Sequence, residues 1–145
     1  MKRLAIVVMA LACATGAVWA ESDAIAKRRA LMHDDGIAAK TLFDMAKGTI
    51  PFNLAAAQTA LKTLSVGANE TAKLFPPDSK TGGGTAALPA IWENKADFDA
   101  RFAKFSKDVA AAQAATVDEA SFKKVAPTVF ENCGGCHQLY KAKSG

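Results

Sequence analysis

The chain has 145 residues, half of them hydrophobic, which is enough for the core of one domain. It carries 18 Lys and Arg against 14 Asp and Glu, a formal charge of +4. The basic residues form no concentrated face of the kind that binds nucleic acid, and nucleic acid is not expected as a partner.

Residues 1–20 read as a secretory leader. Lys2 and Arg3 provide the positive start, residues 4–17 the apolar stretch, and Val18-Trp19-Ala20 ends in a small residue that a signal peptidase accepts. The stretch is too short and wrongly flanked for a stable membrane span. Ala10 stands where a lipidation signal at Cys13 would want Leu. Cleavage after Ala20 leaves one domain, residues 21–145, exported to the periplasm. It removes two basic residues and no acidic ones, so the charge falls from +4 to +2. Only Cys133 and Cys136 then remain of the three cysteines.

Helical periodicity dominates the rest of the chain, and no segment alternates like a strand. The first helix is expected over residues 22–47, with Ser22 as N-cap and Ile25, Met32, Ala39 and Phe43 on its inward face. Gly48 and Pro51 end it. The second is expected over residues 54–73, capped by Asn53, with Leu54, Ala57, Leu61, Leu64 and Ala68 as a seam. A connection of about 20 residues comes next, with Gly82-Gly83-Gly84 at its middle and a helical turn near residues 88–92. Loops this long are unusual in compact domains, so it either crosses the bundle end or covers part of a ligand. The third helix spans residues 95–115, with Phe98, Phe102, Phe105, Val109 and Ala112 inward. The fourth spans residues 118–143, with Phe122, Val125, Val129, Cys133, Cys136 and Tyr140 inward and Pro127 as a kink.

Cys133-Gly134-Gly135-Cys136-His137 is the informative segment, because C-x-x-C-H is the spacing of c-type haem attachment. Thiols three apart on a helix share a face and can each add to one haem vinyl group. The adjacent imidazole can then turn to the iron, making His137 the proximal ligand. Gly134 and Gly135 leave room for the porphyrin, at about 1 kcal/mol each in helix propensity. A thioredoxin-like site belongs beside a βαβ pattern that is absent here. A structural zinc site needs four ligands, and the only other histidine is the distant His33. A plain disulfide leaves the histidine and the glycines unaccounted for.

With that motif near its C-terminus, the chain resembles the cytochrome c-prime family, the class II cytochromes c. The resemblance spans nearly all of residues 21–145. It is carried by Arg28-Arg29-Ala30-Leu31-Met32, Lys73-Leu74-Phe75-Pro76, Pro89-Ala90-Ile91-Trp92, Cys133 to His137, and Tyr140-Lys141. It implies an all-α, antiparallel up-down-up-down four-helix bundle, with one haem c in the bundle attached to the C-terminal helix. It implies that Met32, four residues after Arg28, is the distal residue, and that Arg28 pairs with a haem propionate. Lys141 corresponds to a basic residue near the proximal histidine, and Trp92 to an aromatic near the haem edge.

The sixth iron position separates two functions. Methionine opposite histidine gives six-coordinate, low-spin iron suited to electron transfer, whereas an open position binds a small gas. Met32 on the inward face serves the first. Methionine also fills core gaps, and some family members carry one there without ligation. Segments Leu74-Phe75-Pro76 and Pro89-Ala90-Ile91-Trp92 resemble the low-spin members. His33 is turned about 100° from Met32, and Met45 lies about 20 Å further along the axis on a different face. The expected function is a periplasmic electron carrier and not an enzyme, working with redox partner proteins. The alternative is a five-coordinate protein binding nitric oxide or carbon monoxide. The family's habit of pairing through the first two helices implies a homodimer.

Overall fold

The computed structural model describes residues 23–143. The expected leader, Cys13 and the Ser22 cap lie outside the described residues. The architecture is an antiparallel four-helix bundle: α1 (Asp23–Lys47), α2 (Leu54–Thr71), a 3-10 turn (Pro77–Ser79), a short α3 (Ala90–Glu93), α4 (Lys95–Ala115) and α5 (Glu119–Tyr140). Around the bundle α1 packs on α2, α2 on α4, α4 on α5 and α5 back on α1. No described helix is long and apolar enough to cross a membrane.

Local chemistry explains the boundaries. Gly48, at φ 72°, turns the chain out of α1, and its N–H donates to the Met45 carbonyl at 3.1 Å. Asn53 caps α2 by accepting from the Ala56 N–H at 2.9 Å. Asp118 accepts from the Ser121 N–H at 2.7 Å, while the Ser121 hydroxyl accepts from the Asp118 N–H at 3.0 Å, a reciprocal box that starts α5. The chain stays helical across Pro127. α5 ends at Tyr140, three residues before the expected limit, because its exit pairs with the connection. Leu88 N–H donates to Tyr140 O, and Ala142 N–H to Ala86 O. The connection is thus tied against the end of α5, with three successive glycines at positive φ reversing it.

The main core joins Leu42 and Met45 of α1, Leu61 and Leu64 of α2, Val109 of α4, and Phe122 and Val129 of α5. A second cluster, Ile91, Phe98, Phe102 and Tyr140, sits at the end bearing the cysteines. The expected α2 seam holds except at its first residue, where Leu54 is 40% exposed.

The α1 seam differs more. Met32 and Ala39 are half-buried and Phe43 is exposed, whereas Met45, expected on another face, belongs to the core. The buried residues are Ile25, Arg28, Asp35, Ala38, Leu42 and Met45. With Met32 they step by threes and fours, averaging about 3.3 residues per turn against 3.6 for the helix, so the buried face winds around α1. Two of its members are charged, which a search for apolar periodicity passes over.

Asp35 is accommodated by a glycine on α2. Its carboxylate occupies the space that a Cβ on Gly67 would fill. Gly67→Ala should therefore destabilise the protein by about 1–3 kcal/mol through overpacking. In an Asp35→Ala background the same change should stabilise by up to about 1 kcal/mol, the helix-propensity gain. Denaturant unfolding of the four proteins reads the sign reversal; a loss of equal size in both backgrounds would show that Asp35 does not fill that space.

Candidate functional site

Cys133, Cys136 and His137 occupy the last turns of α5, where Tyr140 anchors the helix to α4. The Tyr140 hydroxyl donates to Asp97 Oδ2 at 2.5 Å, and Arg101 Nε donates to the same oxygen at 2.6 Å. The cysteines are free thiols, both half-buried. A Cβ on Gly134 would meet nothing within 4 Å, and one on Gly135 would touch only Arg101 Nη1 at 3.8 Å. No described protein atom therefore requires either glycine, and their cost in helix propensity stands without an internal reason.

Two adjoining cavities open on this wall. The larger, about 690 Å³, is bordered by Arg28, Phe75, Phe98, Tyr140 and the turn at Gly84–Ala87, among others. The smaller, about 130 Å³, is bordered by Asp35, Gly36, Ala39, Arg101, Phe105, Asn132 and Cys133. Met32, Phe102, Cys136 and His137 border both, so the two are lobes of one space. The larger lobe falls within the size range of cofactor sites, and its wall is mainly apolar and aromatic.

The thiols and the imidazole are desolvated there. Burial raises the Cys133 thiol, with the charge of Asp35 adding to the shift. Burial also raises Cys136, which nearby Arg101 partly offsets. His137 borders both lobes, although the residue as a whole is exposed. Its desolvation, with a further push from Lys141, lowers its pKa and favours the neutral imidazole that can ligate a metal. Thiols one helical turn apart, an adjacent neutral imidazole, and a thioether on the facing helix form a donor set matched to a porphyrin with reactive vinyl groups. Among the described residues, no group of three His, Cys, Asp or Glu is placed to hold a metal ion by itself.

The other sequence candidates are placed differently. Arg28 borders the larger lobe at 3% exposure, but its guanidinium already clamps the connection. Nη1 donates to Leu74 O at 3.0 Å and Ser79 Oγ at 2.7 Å; Nη2 donates to Ser79 O at 2.8 Å and Thr85 Oγ1 at 2.6 Å. Its Cζ lies over the Phe75 ring, 4.8 Å from the ring centre. Trp92 stands one layer behind the wall, its indole N–H donating to Phe75 O at 3.0 Å while Phe75 itself faces the cavity. Lys141 and His33 lie on the rim of the larger lobe.

Sequence reasoning missed Asp35 and Arg101, and named Phe75 only within a family segment, without a place in the site. Asp35 carried a signal: it comes after Arg28 and Met32 at helical spacings of four and three, on the same stripe. Phe75 and Arg101 reach the cavity through the path of the connection and the packing of α4, which periodicity does not contain.

Comparison with known proteins leads to the same chemistry. The cytochrome c′ family model matches residues 23–141. The chain is 41% identical over 141 residues to a cytochrome c′ of Rhodopseudomonas palustris, covering 97% of each. It is 39% identical over 129 residues to a cytochrome c-556 of Agrobacterium fabrum, covering 88% of this chain and 86% of the relative. The solved structure of cytochrome c′ from Rhodopseudomonas palustris superposes with a TM-score of 0.81 at 44% identity, covering 86% of this chain and 99% of that one. The chain belongs to the cytochrome c′ family, and its cofactor is covalently bound haem c.

Proposed function

We propose that the chain is a periplasmic electron-transfer protein, its one haem c joined through Cys133 and Cys136 and its iron held in a six-coordinate, low-spin state by His137 and Met32. The observation that carries this reading is that Met32 of α1 and His137 of α5 border the same space from different helices. The haem supplies a reversible one-electron couple. The chain does the rest. Cys133 and Cys136 anchor the group, His137 and Met32 hold the same positions in both oxidation states, and Phe75, Phe98 and Phe102 exclude water from the interior. Arg28 holds the connection over the larger lobe, and in this reading it faces a propionate only after that clamp is satisfied. Residues 1–20 direct export and are removed, and redox proteins are the partners.

Exposed Ile37 and Phe43 on α1, with Leu54 and Val66 on α2, offer apolar surface for pairing of two copies through these helices. A second reading, a five-coordinate protein that binds nitric oxide or carbon monoxide, is favoured by the 41% identity to a cytochrome c′. In that reading Met32 is packing only.

The intact mass of protein recovered from the periplasm should equal residues 21–145 plus one haem, and acid-acetone should leave the haem on the chain. Changing both Cys133 and Cys136 to Ala should abolish the covalent adduct; haem that extracts freely from the wild type would defeat the attachment.

Met32→Ala should move the iron from low to high spin, lower the reduction potential by loss of a thioether that favours ferrous iron, and admit carbon monoxide readily. Met45→Leu, a near volume-conserving change in the core, should cost under about 1.5 kcal/mol and leave the spectrum unaltered. A wild-type protein that is already high-spin, with a spectrum indifferent to Met32→Ala, would put the gas-binding reading first.

A further inference from the structure

Asp35 is unusual in its surroundings. It is 8% exposed, and neither carboxylate oxygen has a hydrogen-bond partner. A buried polar group without a partner pays a full desolvation penalty, so such a group in a native fold calls for an explanation. It borders the smaller lobe together with Cys133, Cys136, His137 and Met32, and its charge is felt at the Cys133 thiol.

The groups around it are few. α2 presents the backbone of Gly67. α5 contributes Cys133, Cys136 and His137 to the same lobe, with Asn132, whose amide donates to Asp108 Oδ2 at 2.8 Å. α4 contributes Arg101, already engaged with Asp97. On α1 the neighbouring carboxylate is Asp34. No hydrogen bond to a cation holds Asp35 in its charged form.

We propose that Asp35 is a positioning residue for charge, through which this protein couples its electron to a proton. The inference rests on the haem occupying the cavity as proposed above. One electron enters the iron from a one-electron donor protein, and one proton from solvent binds a carboxylate oxygen of Asp35; on reoxidation both leave. The physical reason is Coulombic. Ferric haem carries one more positive charge than ferrous haem, and across a desolvated wall that charge favours the ionised carboxylate. Reduction removes it and raises the proton affinity of Asp35. By reciprocity, protonation of Asp35 raises the affinity of the iron for its electron. Burial, with Asp34 adding to it, raises the carboxyl to about 7, which puts the exchange near neutral pH.

Because reduction takes up a proton, the midpoint potential should fall as pH rises through the neutral range and level off on either side. Spectroelectrochemical titration of the holoprotein reads this directly. Asp35→Asn, which keeps the shape and removes the charge, should raise the potential on the alkaline side and flatten the slope. Asp34→Asn should keep the slope and move it to lower pH. A wild-type potential flat through the neutral range overturns the proposal without any variant. A slope that survives Asp35→Asn overturns it too, by assigning the proton to another group such as a propionate. Should Asp35→Asn fail to mature, a reduced-minus-oxidised infrared difference spectrum of the wild type replaces it. A protonated-carboxyl band that gains on reduction supports the coupling, and its absence refutes it. Loss of the low-spin spectrum or of covalent haem bears on the electron-carrier reading instead, so the two failures are read separately.

Discussion

A single guanidinium governs the end of the bundle where the cofactor chemistry is concentrated. Arg28 leaves α1, enters a site with 3% exposure, and finds four acceptors on the connection between α2 and α3. A buried charge without partners would cost several kcal/mol, so the connection has to bring Leu74, Ser79 and Thr85 to it. That requirement sets the path of the loop. It places Phe75 on the cavity wall, with Trp92 braced behind it on the Phe75 carbonyl. It also sets the winding of α1, because the face that carries Arg28 inward is the one that brings Met32 to the cavity and Asp35 onto Gly67.

From there the structure divides into two ends. At one, Leu42, Leu61, Leu64, Val109, Phe122 and Val129 close an ordinary apolar core. At the other, packing is incomplete by construction: aromatic side chains and two half-buried thiols line an open cavity. The pair of glycines between the thiols fits this division. Protein contacts do not ask for them, and a planar ring held against the backbone by two thioethers would. The last turn of α5 is correspondingly held from outside, by Tyr140 and Arg101 on Asp97 and by the antiparallel bridge to Ala87.

Among the described residues, two buried side chains lack hydrogen-bond partners. The Asp35 carboxylate has none and borders the smaller lobe; the Thr71 hydroxyl, one turn beyond Gly67 on α2, also lacks one. Proteins retain such groups where function requires them and stability is surrendered in return.

Several features were legible in the sequence because each depends on neighbours a few residues apart. The N-caps Asn53 and Asp118 satisfy amide groups within three residues. The seam of α4 and the inward stripe of α5 arise from helical spacing, and C-x-x-C-H states its chemistry locally. Other features depended on groups distant in sequence. Arg28 reaches acceptors 46 to 57 residues away, which is why its side chain belongs first to the connection. Phe43 matched the apolar period yet lies exposed, while Asp35 broke it and lies buried, because α1 turns its buried face as it crosses its neighbours. Helical spacing decides which side chains share a stripe. Only the packing of helices against one another, and the need to satisfy a buried charge, decided which part of that stripe met the core, the loop or the cavity.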